Sequence, residues 1–197
     1  MRVKISIPQR ELVLGVQELS QDLFSTFGAV IENPSPSLVP CQTYDGPLPP
    51  DAVQANQGSA LKYLDVTRMK DLYAYTSSQN PAKAVMNMFV CAPRRLLPSP
   101  SAQAEGHFAV EILERHPFTT QTFIPLGLSR SEASESRYLV IVAPSLPPSS
   151  RDEQLPAPPV DAAGELPLPG RGLPDLMRIE AFVASGSQAV TYGAGTW

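Results

Sequence analysis

A chain of 197 residues can bury one sizeable core, and its 17% charged residues and 22 prolines describe a compact core interrupted by loops. The formal net charge of −4 argues against a nucleic-acid partner, which needs a basic patch. No apolar run approaches the roughly 18 residues of a membrane span, and two cysteines, Cys41 and Cys91, build neither a disulfide framework nor a cysteine zinc site.

Met1 to Gly15 interrupts its apolar positions with Lys4, Pro8, Gln9, Arg10 and Glu11, which is not a signal-peptide pattern. A cytoplasmic protein is the expectation. Val3 to Ile7 alternates apolar and polar residues, as a half-buried strand does, and a second strand is expected over Glu11 to Val16. Ser20 reads as a helix N-cap with Asp22 in the first turn. Leu23, Phe24 and Phe27 follow at helical spacing, and Gly28 reads as the C′ stop before a strand through Val30 and Ile31.

Residues 33–50 form a proline-rich loop. Asn56 to Ser59 is a tight turn into Leu61-Lys62-Tyr63-Leu64, which on its own reads as a plain hairpin with a surface lysine. One or two helical turns are expected over Arg68 to Tyr75. Ala84 to Cys91 reads as an apolar strand ended by Pro93, with Cys91 as a small buried residue. Pro98 to Glu105 is another loop. From His107 to Arg115 the pattern assigns faces: Phe108, Val110, Ile112 and Glu114 on one side, joined by His116, and this side should point inward.

Arg137 to Ala143 is a strand with Tyr138, Val140 and Val142 on one face. Residues 144–174 are low-complexity and proline-rich, which predicts a disordered insertion between strands and no domain boundary. Strands resume at Met177 to Ala184 and Ala189 to Tyr192 around a Ser185-Gly186-Ser187 turn, and Gly193 to Trp197 reads as a turn entering a further strand. The sum is a single all-β domain over 1–197, a sandwich or barrel.

A carboxylate and an imidazole two residues apart on an inward face, Glu114 and His116, can act as an acid–base pair or as metal ligands, with Gln121 adding an oxygen. The same residues could equally form a buried polar network that includes Arg115. No G-x-S-x-G elbow, phosphate loop or dinucleotide fingerprint is present, so neither a serine triad nor an organic cofactor is expected. His107 reads as exposed and inert.

Five blocks of sequence carry a resemblance: Leu23 to Ile31, Asn56 to Tyr63, Met88 to Arg94, the central Leu113-Glu114-Arg115-His116-Pro117 with Thr120 to Leu126, and Arg178 to Trp197. Together they resemble the ureidoglycolate lyases, cupin-type β-barrels of purine (allantoin) degradation. The resemblance implies a cupin-like barrel or jelly roll with a short N-terminal helix and proline-rich insertions. It further implies cleavage of (S)-ureidoglycolate to glyoxylate and urea by a homodimer acting on a small-molecule substrate.

By the same resemblance His116, Lys62 and Glu114 are catalytic, while Asn56, Arg94, Gln121 and Tyr192 contact the substrate. Lys62 or Arg94 would hold the substrate carboxylate; Lys62 stands where many relatives carry arginine, keeping charge but losing bidentate geometry. The central block also resembles a first cupin motif in which Glu114, His116 and Gln121 occupy the ligand positions, so a divalent metal, nickel or similar, is implied there. Family members continue past Gly195-Thr196-Trp197 with histidine and further strands, which implies a chain shortened by its last strands. Hydrolysis of the same substrate to ammonia, a non-catalytic binding module, an inactive shortened copy of the lyase and peroxisomal residence stay open as alternatives.

Overall fold

The computed structural model describes residues 12–38, 46–76, 85–91, 95–99, 106–150, 152–156 and 172–197. Among the described residues eight short strands make three small sheets. The first sheet sets β7 (Glu180–Ser185) between β1 (Val16–Glu18), which runs parallel to it, and β6 (Arg137–Val142), which runs antiparallel. The second sets β8 (Ala189–Tyr192) between β2 (Gly28–Ile31) and β5 (Gln121–Phe123), both antiparallel to it. The third is a hairpin of β3 (Ala52–Ala55) and β4 (Ala60–Tyr63). The chain is all-β, as expected, and among the described residues the three sheets are not joined into a closed barrel.

The core lies between the first two sheets and is centred on Phe24, which is fully buried. Its ring meets Phe182 edge-on at 5.7 Å, Phe27 at 6.0 Å and Tyr192 at 6.0 Å, separations at which aromatic pairs attract beyond simple area burial. Helix α1 (Gln21–Phe24) delivers that ring. Ser20 caps it, its hydroxyl accepting from the Leu23 amide, and the helix ends at Ser25. Gly28 is therefore not the helix stop: it opens β2 opposite Tyr192. A Cβ there would lie 1.8 Å from the Thr191 carbonyl oxygen, so glycine serves close strand approach and not a left-handed turn. On β6 the expected face holds, with Val140 and Val142 buried and Tyr138 partly so, its hydroxyl donating to the Gln188 carbonyl.

Other expectations need correcting. The strand expected over Glu11 to Val16 forms at Val16–Glu18, because parallel pairing with residues 181–183 sets its bounds. Val3 to Ile7 and Cys41 lie outside the described residues. Only Tyr73–Tyr75 is helical in the stretch from Arg68, since Asp71 bridges to Thr119 and holds the chain extended. Residues 85–91 form no strand, and Val85, Met86, Met88, Phe89 and Val90 are 70–93% exposed; Cys91 is exposed as well. The insertion is ordered at both ends: Ser145 bridges to Pro174, and Asp152 is buried, accepting from the Ser149 amide and hydroxyl. Its residues 157–171 lie outside the described set. Helix α2 (Arg130–Glu135) was not anticipated, although Ser129 and Glu132 form a capping box whose sequence signature is plain. Ser129 also holds the Glu132 carboxyl below its usual range through its hydroxyl and backbone N–H.

Candidate functional site

The central segment was expected to be a strand. Residues 108–116 instead run without a ladder of their own, tied at one end by the His107–Leu97 bridge and at the other by the Gly195 amide, which donates to the His116 carbonyl at 2.8 Å. The assigned face survives in part, because Leu113 from the opposite face lines the same cleft. Phe108, Val110, Ile112, Glu114 and His116 all line one cleft of about 260 Å³. They line its mouth, since Ile112 is 79% and Val110 43% exposed. An extended chain alternates its side chains whether or not a neighbour pairs with it.

The opposite wall comes from the second sheet. Gln121 on β5 is in register with Tyr192 on β8, and both line the cleft beside Phe123, whose ring meets Tyr192 edge-on at 5.7 Å. On the reverse face of the same strands, Thr122 and Thr191 hydroxyls lie 2.8 Å apart, and Thr67 donates to Thr191 at 2.9 Å, pinning residues 67–70 across the sheet. Thr196 and Trp197 also line the cleft. These two and Phe123 went unassigned in the sequence, where only the register of β5 with β8 could have pointed to Phe123.

At the polar end, His116 Nε2 is 3.4 Å from Glu114 Oε1, with the histidine side chain 38% and the glutamate 77% exposed. A contact so open to water adds little stability. Burial pushes the Tyr192 hydroxyl up to about 12, with Tyr138 adding a smaller push. Tyr192 is thus a neutral phenol near pH 7, able to donate a hydrogen bond and unsuited to act as a base.

Of the residues expected at the site, Glu114, His116, Gln121 and Tyr192 converge. Lys62 and Asn56 do not line this cleft: both are exposed on the β3–β4 hairpin, where Lys62 pairs across to Val53 and Asn56 begins the turn with φ of 50°. Arg94 lies outside the described residues. The Arg115 guanidinium donates to the Ser145 hydroxyl at 3.2 Å. His107 is partly buried, with Nε2 3.4 Å from the Ser99 hydroxyl, and so is less exposed than expected.

As metal donors, the described residues offer one imidazole and one carboxylate in mutual contact, with the Gln121 amide oxygen as a weaker third; they hold no group of three His, Cys, Asp or Glu side chains.

An apolar cleft that ends in an imidazole–carboxylate pair, a primary amide and a neutral phenol has the groups that an enzyme working on a small polar molecule uses. Comparison with known sequences narrows the class. The profile of the ureidoglycolate lyase family matches residues 11–197. The ureidoglycolate lyase of Schizosaccharomyces pombe is 34% identical over 181 residues, covering 92% of this chain and 73% of its own. That of Saccharomyces cerevisiae is 30% identical over 185 residues, with the same two coverages, and that of Burkholderia mallei is 26% identical over 184. The chain belongs to the ureidoglycolate lyase family.

Proposed function

We propose that this protein is a ureidoglycolate lyase, cleaving ureidoglycolate to glyoxylate and urea. The observation that carries the reading within the structure is the Glu114–His116 pair facing Gln121 and Tyr192 across one cleft. The reaction needs a base to take the carbinol proton as the carbonyl forms. In the same movement the C–N bond breaks with its electron pair moving to nitrogen, and an acid protonates the departing ureido group. His116 fits the proton carrier, with Glu114 holding its ring and balancing its charge when protonated. Gln121 and Tyr192 supply hydrogen bonds to the carbonyl and ureido oxygens. Lys62 and Asn56, which do not line this cleft, drop out of carboxylate capture in this reading, and that role falls to Arg94.

Incubation with ureidoglycolate tests the proposal: urea and glyoxylate should appear in equal amounts. Ammonia in place of urea would make the protein a hydrolase, and glyoxylate binding without turnover would make it a binding module.

In the alternative form of the proposal His116 is a metal ligand in place of proton carrier, and with Glu114 and Gln121 it would hold a divalent cation. Bound there, it would supply Lewis-acid polarisation of the substrate hydroxyl. Chelator dialysis is expected to lower urea release and added nickel to restore it; full activity in chelator would remove the metal from the reading. We also assign the exposed apolar run from Val85 to Val90 to a homodimer contact. Sedimentation velocity should then give about twice the 21.3 kDa chain mass, and a purely monomeric boundary would refute it. Among the described residues no helix is long and apolar enough to cross a membrane, and the cytoplasm is the proposed compartment.

A further inference from the structure

The residue between the two cleft groups has a different set of partners. Arg115 Nη1 donates to the Ser145 hydroxyl and to the Gly172 carbonyl, both at 3.2 Å, and Nη2 donates to the Pro156 carbonyl at 2.7 Å. The guanidinium carbon sits 4.5 Å over the ring of Trp197, a distance at which cation and ring attract. Trp197 Nε1 donates to the same two acceptors, Ser145 Oγ at 3.1 Å and the Gly172 carbonyl at 3.3 Å. Trp197 is itself fixed, exchanging backbone hydrogen bonds of 2.9 and 3.2 Å with Ala143 at the end of β6. One side chain thus ties the cleft segment, Trp197 and both ends of the proline-rich insertion together.

The anchor matters because of what the segment lacks. Among the described residues, 108–115 have no backbone ladder, so their position is set by the ties at 107 and 116 and by side chains. Glu114, 77% exposed, cannot hold itself in place by packing. Arg115 and His116 are both partly buried. Burial lowers the Arg115 pKa from the usual range and nearby Asp152, itself buried, counters this, so the group keeps its charge near neutral pH.

We propose that Arg115 is a positioning residue for the lyase reaction, clasping the two ends of the proline-rich insertion and Trp197 so that Glu114 and His116 face the cleft at reacting distance. The proposal rests on the lyase reading for its kinetic consequence. Fixed geometry of this kind is generally worth 10- to 100-fold in rate when a supporting group is removed. Lysine would keep the charge but cannot present a planar fork to three separate acceptors.

The test compares Arg115→Ala, Arg115→Lys and Ser145→Ala with the unaltered chain, by urea-release kinetics and by the imidazole cross-peaks of the two histidines in NMR spectra. Arg115→Ala is expected to lower kcat on the order of 10- to 100-fold with KM little changed, and Arg115→Lys and Ser145→Ala to fall between. The His116 cross-peak should move while that of His107 stays. A folded Arg115→Ala with unchanged kcat, or an unmoved His116 cross-peak, would overturn the proposal. Should Arg115→Ala not fold, the other two variants decide by the same criteria. Should the unaltered chain release no urea, the lyase reading fails, and the cross-peak comparison still decides whether Arg115 positions His116.

Discussion

Replacing His116 with alanine is expected to reduce urea release by roughly 10²- to 10⁴-fold, equivalent to about 3–5 kcal/mol of transition-state stabilisation. His116 is the only imidazole that lines the cleft, and the other ionisable side chains lining it among the described residues are Glu114 and Tyr192. The Tyr192 phenol is pushed the wrong way for proton exchange near neutral pH. The loss should be catalytic and not structural. The ring is partly exposed, and the tie from Gly195 runs to the His116 backbone carbonyl, which alanine retains. A melting curve close to that of the unaltered chain, beside lost turnover, is the expected pair of results. Undiminished turnover would move the chemistry away from this cleft altogether.

Phe24→Ala should be the most destabilising single change in the core, by about 3–5 kcal/mol. The side chain is wholly buried and touches Phe27, Phe182 and Tyr192, so truncation removes three aromatic contacts and leaves a void between two sheets. Against the 5–15 kcal/mol by which domains are normally stable, that is a large share. Denaturant titration measures it directly. Because Tyr192 also lines the cleft, activity should fall before global unfolding. A cost below about 1 kcal/mol would mean that the sheets are held elsewhere.

The sequence was most legible where one physical signal acted alone. Period-two alternation read β6 correctly down to its buried Val140 and Val142, and Ser20 announced α1 because a cap is a local, side-chain-to-backbone event. Signals that depend on a partner misled. The run from Val85 to Val90 looks like a buried strand, but apolar character says that a segment seeks cover and not that this chain supplies it. Gly28 was assigned for its backbone freedom and is needed for its missing Cβ, a distinction that only the neighbouring Thr191 carbonyl reveals. At the cleft, alternation was enough to gather Glu114 with His116 and the apolar wall, though not to show that the segment forms no ladder. The role of Arg115 was out of reach because its partners at 145, 156 and 172 are brought near only by the fold.

The two larger sheets share a feature of connectivity: each has as its middle strand one of the last two, β7 and β8. Until residues 180–192 have left the ribosome, β1, β2, β5 and β6 have no strand to pair with, and their apolar faces must wait unpaired. Contacts that join residues 16–31 to residues 181–192 are about as non-local as this chain permits, which slows folding and prolongs exposure to wrong partners. Strands β7 and β8 act as a latch, so the fold should form in one cooperative event once they are available and not by growth from its first strands.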